Sequence, residues 1–425
     1  MRNRKVALGM QRPGRLDRAA SVPDARRTPA EDVFEKAYGF TRADEAKAAG
    51  VYPYFRAIAE QHGGAVTVEG REMIITGSND YLGLTQDARL KEAARASLDK
   101  YGTSCTGSRF LTGTLSLHEE LERRLEDFLK AEAVLTFSAG FLGALAVLSA
   151  LAGRQDILYF DRENHACLYD GARLSFGTLR KYRHNDLSSL RHLLERDAGR
   201  PGGRMIVTDG VFSMSGHIAD LPGLVDLARE YGARLVVDDA HATGVLGEHG
   251  RGTAEHFGLE GEVDLVIGTF SKSFASLGGF VAGPRAVIDY IKHHARPFIF
   301  TAALPAPQVA TALKALEVMS TEPRHRKKLW QNVERLRRGI NGLGFDTLGS
   351  ETPIVPVLVG PDELTVLFWR ALWEEGIFTT PALPPGVPSG RSLIRTSVNA
   401  DHTPEQIDRI VEAFAKTGER LGTSE

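Results

Sequence analysis

The sequence predicts an α/β protein with a large, mostly parallel sheet and a smaller C-terminal α+β domain. Through the middle of the chain, short apolar runs of strand length alternate with amphipathic helical patterns, which is the order of βαβ units. Beyond about Pro305 the pattern changes to a long charged helix followed by mixed strands and helices. With 425 residues, 42% hydrophobic and 25% charged, the chain is long enough to bury the core of such a sheet.

The N-terminal part is basic and precedes the first predicted strands. Residues 1–27 carry eight Lys or Arg side chains against two Asp, and we expect a solvated tail, with a weak peripheral contact to anionic membrane as the functional alternative. A helical arm follows, and residues 66–83 alternate around a glycine as a β-hairpin does. We expect a tail and arm over 1–60, a large domain over 61–304 and a small domain over 305–425.

One uncharged stretch, Ala133–Ala152, has the length of a membrane span. Turn-forming residues at 138–140 interrupt it, so we predict a buried strand, a tight turn and a packed helix instead. The N-terminus has no apolar signal core, and we therefore expect a cytoplasmic protein.

The remaining elements follow the same two patterns. The predicted strands of the large sheet are ILYFD (157–161), RMIVTD (204–209), RLVVDD (234–239) and VDLVIGTF (263–270), with a helix over 221–232. In the C-terminal part we predict a charged helix through Lys327–Arg338, the strand PIVPVLVG (353–360), a helix over Leu364–Glu375, the strand SLIRTS (392–397) and a final helix opened by Thr403 and Pro404.

Charge and cysteine content exclude several classes of function. The net charge is −2, so no global field draws the chain to nucleic acid. Cys105 and Cys167 are the only cysteines, which argues against a disulfide framework and against a thiolate metal site. We therefore predict no metal.

Reactive side chains follow the predicted strands where the strands end. Asp238 and His241 come after one strand, and Thr269, Ser271 and Lys272 come after another. In an open parallel sheet, ligands bind at this edge.

Two further strand ends add to the same edge. Gly140 and Phe141 follow the strand AVLTF and begin a helix, whose amides suit a phosphate, and His165 follows ILYFD. A partly desolvated lysine among small hydroxyl residues suits a Schiff base. Pyridoxal 5'-phosphate would use all of these groups, with Asp238 paired to its ring nitrogen.

The blocks TFSKSFASLG (269–278) and DDAHATGVLGEHGRG (238–252) resemble the α-oxoamine synthases, which are fold-type-I pyridoxal-phosphate enzymes with the aspartate-aminotransferase-like fold. The resemblance runs in the family's order over about residues 50–420. The supporting blocks are YPYFR (52–56), SNDYLGL (78–84), YGTSCTGSRFLTGT (101–114), NHACLYDG (164–171), TDGVFSMSG (208–216), RPFIFTAALP (296–305) and LIRTS (393–397).

The resemblance implies a catalytic role for Lys272, which would bond the cofactor and move the α-proton, and for the three polar residues around it. His165 would stack on the cofactor ring, Asp238 would pair with the ring nitrogen, and His241 would bond the phenolic oxygen. The implied cofactor-binding set is completed by Gly140, Phe141, Ser213, Thr269, Ser271 and, from the neighbouring subunit of a homodimer, Thr301.

For the substrate, the resemblance assigns the carboxylate to Arg395, with Asn79 assisting. The implied reaction is the decarboxylative condensation of L-serine with a long-chain acyl-CoA such as palmitoyl-CoA, giving 3-ketosphinganine, CoA and CO2 at the start of sphingolipid synthesis. Other reactions of the family stay open: those of glycine C-acetyltransferase, 5-aminolevulinate synthase and 8-amino-7-oxononanoate synthase. Leu383 stands where some members carry a loop arginine, and His184 and His217 have no assigned role.

Two readings from other classes compete with a condensing enzyme. A non-catalytic scaffold subunit would keep the fold, but it has no need for the amine of Lys272. A nicotinamide-dependent oxidoreductase would require a G-x-G-x-x-G turn after a first strand, and the sequence has none there.

Overall fold

The computed structural model describes residues 32–423, so the predicted basic tail lies outside the described residues. The chain divides into one unit over residues 1–52 and a second over residues 53–425. The described part of the first unit contains two short helices, α1 (Glu35–Tyr38) and α2 (Arg42–Ala48). All further elements belong to the second unit.

The second unit opens with an antiparallel meander and two long helices. Its elements are β1 (Ile58–His62), β2 (Ala65–Val68), β3 (Arg71–Ile75), α3 (Ala88–Tyr101) and α4 (Ser116–Leu129). The predicted hairpin is confirmed, because β2 pairs antiparallel with β3 from Ala65 opposite Ile74 to Val68 opposite Arg71.

A seven-stranded sheet forms the centre of the unit. Its elements and the helices between them are β4 (Ala133–Phe137), α5 (Gly140–Leu151), β5 (Ile157–Asp161), α6 (Ala166–Leu174), β6 (Thr178–Tyr182), α7 (Leu187–Arg196), β7 (Arg204–Asp209), α8 (Leu221–Tyr231), β8 (Arg234–Asp238), α9 (Thr253–His256), β9 (Leu265–Thr269) and β10 (Gly279–Gly283). The strand order is β4-β10-β9-β8-β7-β5-β6. Strands β9, β8, β7, β5 and β6 run parallel, whereas β10 is antiparallel to both of its neighbours.

The C-terminal part adds a helical layer and a small sheet. Its elements are α10 (Arg285–His294), α11 (Arg296–Ile299), α12 (Ala306–Thr321), α13 (Arg324–Gly342), β11 (Ile354–Gly360), α14 (Asp362–Glu374), β12 (Ile377–Phe378), β13 (Thr380–Ala382), β14 (Ser392–Ser397) and α15 (Pro404–Leu421). The small sheet has the order β11-β14-β13, while β12 joins the meander by pairing in parallel with β3. Helix α15 starts where predicted, because Thr403 and Gln406 form a capping box.

Burial on both faces of the central sheet explains its continuous apolar strands. In β5, Leu158 and Phe160 pack into one core cluster, and Ile157 and Tyr159 pack into another. Successive side chains of a strand point to opposite faces, so both faces are covered. The predicted α/β class with a large, mostly parallel sheet is confirmed.

The uncharged stretch 133–152 folds as predicted, as the fully buried β4, a turn and α5. Between residues 32 and 423, no helix combines the length and apolar character needed to cross a bilayer.

Candidate active site

Several strands of the central sheet end at one edge and surround a cavity of about 260 Å³. Asp209 ends β7 directly opposite Asp238 at the end of β8, and Thr269 ends β9 on the next strand. Because these strands are parallel, their polar end residues converge. The cavity brings together the sequence-predicted residues Gly140, Phe141, His165, Asp238, His241, Thr269, Ser271 and Lys272.

One end of the cavity is built from the start of α5 and the end of β9. The amides of Leu142 and Gly143 donate to the Ala139 carbonyl, so the amides of Gly140 and Phe141 precede the first intrahelical bonds. Such a helix start attracts a phosphate.

Hydroxyl groups complete this end. The hydroxyls of Thr269 and Ser271 lie 2.8 Å apart, and Thr269 Oγ1 also donates to the Gly278 carbonyl. A Cβ atom on Gly140 would lie 2.8 Å from Thr269 Oγ1, so only glycine leaves this corner open. The antiparallel β10, between β4 and β9, brings α5 next to Thr269.

Lys272 supplies the amine of the site. Burial lowers the pKa of Lys272 to about 8, against the opposite effect of the Asp238 carboxylate. An ammonium with a pKa of about 8 is partly unprotonated near neutral pH, which makes its nitrogen a usable nucleophile and base.

Two carboxyl groups face this amine from neighbouring strands. Burial and the charge of Asp238 raise the pKa of Asp209 well above its ordinary value, which favours the protonated form of Asp209. The Asp209 oxygens accept the backbone N–H of His165 at 3.2 Å, and Asp238 Oδ1 accepts the backbone N–H of Ala240.

His165 has one defined tautomer. Its Nδ1 accepts the backbone N–H of Cys167 at 3.2 Å, and burial lowers the pKa of His165. The ring is therefore neutral, with its proton on Nε2. The Cys167 sulfur lies 2.9 Å from the same Nδ1 and 3.7 Å from Asp238 Oδ2, and burial raises the pKa of its thiol.

His241 is held by Tyr81, which the sequence analysis did not single out. Tyr81 Oη lies 2.7 Å from His241 Nδ1, and both side chains are buried. Burial lowers the pKa of His241 well below its ordinary value and raises the pKa of Tyr81. We assign the proton of the neutral imidazole to Nε2, so that the tyrosine hydroxyl donates to Nδ1.

Arg395, Asn79 and Ser213 form a second group next to Tyr81. Arg395 donates from Nη2 to Asn79 Oδ1 at 2.9 Å and from Nε to the Ser213 carbonyl at 2.7 Å. Tyr81 Oη lies 3.4 Å from the same Asn79 oxygen, which connects this group to His241. Ser213 thus lies beside the site through its backbone.

Thr301 does not line this cavity. It borders a smaller one together with Arg109, His118 and Phe298. This placement leaves the prediction of a role in a neighbouring subunit untested.

Asp209 and Tyr81 are the main residues that the sequence analysis missed. The strand-end rule that led to Asp238 applies equally to Asp209 at the end of RMIVTD, so the signal was present. Tyr81 lies 160 residues from His241 along the chain, and no local pattern relates them.

The donor set of the cavity fits pyridoxal phosphate. Its phosphate matches the end of the cavity that offers a helix start, two hydroxyls and a glycine that leaves space. Its ring nitrogen matches the Asp238 carboxylate, and its phenolic oxygen matches the Nε2–H of His241. Lys272 is an amine of lowered pKa that suits its aldehyde carbon. Across residues 32–423, no group of three or more His, Cys, Asp or Glu side chains is arranged to hold a metal ion.

Fold and site together define an α/β protein that binds a phosphate-bearing aldehyde cofactor at the carboxyl edge of its sheet. The family model for aminotransferase class I and II matches residues 71–414, and the chain belongs to this family.

Relatives within the family carry the names of α-oxoamine synthases, in agreement with the resemblance seen in the sequence. A serine palmitoyltransferase from Bacteriovorax stolpii is 48% identical over 86% of this chain and 87% of its own length. An 8-amino-7-oxononanoate synthase from Thermoanaerobacter pseudethanolicus is 42% identical over 89% of this chain and 96% of its own length. A solved structure of serine palmitoyltransferase from S. paucimobilis with a bound pyridoxal phosphate–myriocin aldimine is 34% identical, covers 92% of this chain and 99% of its own, and superposes with a TM-score of 0.89.

Proposed function

We propose that the protein is a pyridoxal-phosphate-dependent acyltransferase that condenses L-serine with a long-chain acyl-CoA and releases CoA and CO2. The observation that carries the proposal is an amine of lowered pKa, Lys272, in one cavity with a helix start and the charged Asp238. The 48% identity to a serine palmitoyltransferase, against 42% to an 8-amino-7-oxononanoate synthase, favours serine and a long acyl chain. The product with palmitoyl-CoA is 3-ketosphinganine.

The cofactor would be held at both of its ends. The amides of Gly140 and Phe141 would bind the phosphate, because a helix start donates to an anion. The hydroxyls of Thr269 and Ser271 would rotate away from the Gly278 carbonyl and from each other to donate to it as well. Asp238 binds the ring nitrogen.

Bound pyridoxal phosphate supplies an electron sink for the negative charge that develops at the serine α-carbon. Lys272 Nζ would hold the cofactor through its aldehyde carbon, with the aldehyde oxygen leaving as water, and would take and return the α-proton of serine. Its pKa of about 8 keeps a usable fraction of the amine unprotonated at physiological pH.

The remaining polar groups hold protons in defined places. The raised pKa of Asp209 favours its neutral form, so Asp209 places no second negative charge opposite Asp238. His165 and His241 each present an Nε2–H, because their Nδ1 atoms accept from Cys167 and Tyr81. His165 would stack on the cofactor ring and offer its Nε2–H to the substrate carboxylate.

Arg395 binds the carboxylate of serine, with Asn79 beside it. A guanidinium offers paired donors that a carboxylate accepts in a fork geometry. Its Nε and Nη2 already donate to Ser213 and Asn79, which fixes the plane of the group before serine arrives. The Arg395 side chain therefore loses little conformational freedom when serine binds.

We propose a homodimer with the active site at the interface, supported by an exposed apolar patch on two adjoining loops. The Ala303 amide donates to the Gly107 carbonyl and joins the loops. Phe110, Leu111 and Phe300 project from them and are 52%, 75% and 73% exposed. A second copy of the chain covering this patch would bring Thr301 to its partner's phosphate site. Phe300→Asp is expected to shift the protein toward monomer by light scattering and to lower activity in parallel.

We also propose the domain division 61–304 and 305–425. The central sheet and its helices end before α12, and the small sheet lies wholly after it. The basic residues 1–27 would add a peripheral contact with anionic membrane, which vesicle co-sedimentation with and without residues 1–27 tests.

The test of the function crosses two sets of substrates in one assay. Release of CoA thiol is measured for serine, glycine and alanine, each with acetyl-, succinyl-, pimeloyl- and palmitoyl-CoA, and products are identified by mass spectrometry. We expect serine with palmitoyl-CoA to give the highest kcat/KM. Alanine with pimeloyl-CoA as the best pair would establish the 8-amino-7-oxononanoate synthase reaction instead, and no turnover with any pair would favour the scaffold reading.

A further inference from the structure

Two histidines outside the proposed catalytic set form a continuous hydrogen-bonded chain. His184 Nδ1 lies 3.0 Å from Asp161 Oδ1, and His184 Nε2 lies 2.8 Å from His217 Nδ1. His217 Nε2 lies 2.7 Å from the Leu348 carbonyl oxygen. The two rings are within 18° of parallel and their centroids lie 5.1 Å apart, which is compatible with an N–H···N bond in the ring planes.

The chain needs one proton more than two neutral imidazoles carry. Its two ends, the Asp161 carboxylate and the Leu348 carbonyl, are acceptors, so the three links require three N–H protons. Two neutral rings hold two. Each of the two Asp161 oxygens also accepts a backbone N–H, from Glu163 and Asn185, so Asp161 acts as an acceptor and the extra proton belongs to the histidine pair.

The charged groups around the pair favour this extra proton. Asp161 faces His184 from the end of β5, and Glu163, on the following loop, has an oxygen 3.7 Å from His184 Nε2. Asp346 accepts the amide of Leu348 at the far end of the chain. Burial lowers the pKa of His184, but hydrogen bonding to Asp161 and the two nearby charges outweigh burial and leave this pKa raised.

The pair holds the turn that orients Arg395. The amide of Phe212 donates to the His217 carbonyl and closes the turn, and the His184 ring packs edge-on against Phe212 with centroids 4.4 Å apart. Ser213, in this turn, accepts Arg395 Nε with its carbonyl.

The same turn is fixed to the segment that leads into the small sheet. The Gly216 carbonyl accepts the hydroxyls of Ser350 and Thr352, just before β11. Strand β11 pairs with β14, which places Pro356 opposite Arg395. The histidine chain therefore joins the large sheet, the turn and the sheet that carries Arg395.

We propose that His184 and His217 share one proton and act as positioning residues, holding the Ser213 carbonyl so that Arg395 is set for the substrate carboxylate. The positioning part rests on the proposed function, whereas the shared proton does not. Deprotonation removes one of the three links, so substrate affinity falls as the pair loses its proton.

A matched pair of variants separates the proton from the geometry. In the double variant His184→Gln with His217→Gln, each amide donates and accepts, so all three links form without an extra proton. His217→Leu breaks the chain, and His184→Leu breaks it from the other side should the first variant fail to fold. His293→Gln, on the exposed face of α10, is the control.

The first measurement is the Tm of the apoprotein against pH. A histidine whose pKa is higher in the folded than in the unfolded state stabilises the fold fully at pH values below its unfolded pKa. This stabilisation is lost as the pH rises through the folded pKa. Between these two pKa values, we expect the Tm of the wild type and of His293→Gln to fall as the pH rises. The Tm of the double glutamine variant should not show this fall. An unchanged pH dependence in the double variant would overturn the shared proton.

The second measurement is the Kd of serine, from the absorbance change of the cofactor-loaded protein at several pH values. We expect His217→Leu to bind serine about tenfold more weakly than wild type at low pH, the effect of losing a hydrogen bond to a charged group. At low pH, we expect the double glutamine variant to bind serine as tightly as the wild type. At high pH, where the wild type has lost the shared proton, the variant should bind serine more tightly than the wild type. Equal Kd values at every pH would overturn the positioning role. If alanine gives the absorbance change and serine does not, the proposed substrate is wrong. The Kd comparison is then made with alanine, because its carboxylate would bind Arg395 in the same way as that of serine.

Discussion

Tyr81→Phe tests how the site controls the proton of His241. The change removes the hydroxyl 2.7 Å from His241 Nδ1 and keeps the buried ring in place. Leaving a buried acceptor without its donor costs about 1–3 kcal/mol. The imidazole then no longer favours its proton on Nε2, so the bond from Nε2–H to the cofactor's phenolic oxygen weakens. Since about 1.4 kcal/mol corresponds to one pKa unit or a tenfold rate change, we expect effects of this size.

Two measurements on the cofactor-loaded variant check this expectation. The pH midpoint of the cofactor absorbance should rise by about one unit, and kcat/KM for serine should fall about tenfold. Tyr290→Phe, on an exposed side chain of α10, is the matched control. An unchanged midpoint together with unchanged kcat/KM would refute the tautomer argument for His241.

Three further predictions concern other parts of the cavity. Gly140→Ala places a Cβ atom 2.8 Å from the Thr269 hydroxyl oxygen, and we expect it to weaken cofactor binding at least about tenfold in a fluorescence titration. The control is Gly199→Ala, whose Cβ atom would meet no atom within 4 Å and should leave cofactor binding unchanged. Because the pKa of Lys272 is about 8, stopped-flow measurement should show the rate of cofactor incorporation into apoprotein rising with pH and levelling off above about pH 8; a flat profile would contradict this pKa. Because the raised pKa of Asp209 favours its neutral form, Asp209→Asn should change kcat/KM less than about threefold. Asp238→Asn removes the carboxylate from the ring nitrogen and should lower kcat/KM about a hundredfold, which corresponds to the free energy of a shift of about two pKa units. Similar losses in both variants would show that the charge is shared.

Much of the fold was predictable because local patterns and burial agree. The stretch 133–152 is interrupted at 138–140, and there β4 gives way to α5. The capping pattern at Thr403 likewise predicted the start of α15. Strand β10 escaped prediction, since five residues rich in glycine carry little strand signal.

The candidate site was predictable to the extent that it obeys the strand-end rule. Asp238, His241, Thr269 and Lys272 follow apolar runs and meet in one cavity. The sequence analysis assigned no role to position 167, yet the backbone amide of Cys167 fixes the tautomer of His165.

The sequence by itself determined the α/β class, the chemistry of the sheet edge and the resemblance that named the cofactor. These depend on residue types and short-range periodicity, which a linear chain displays directly. Only folding brings together the groups that share protons in the site: Asp209 beside Asp238, Tyr81 at His241, and His184 and His217 in one chain. The physical reason is that pKa values and tautomers depend on burial and on hydrogen-bond partners, and folding brings those partners together from distant parts of the chain.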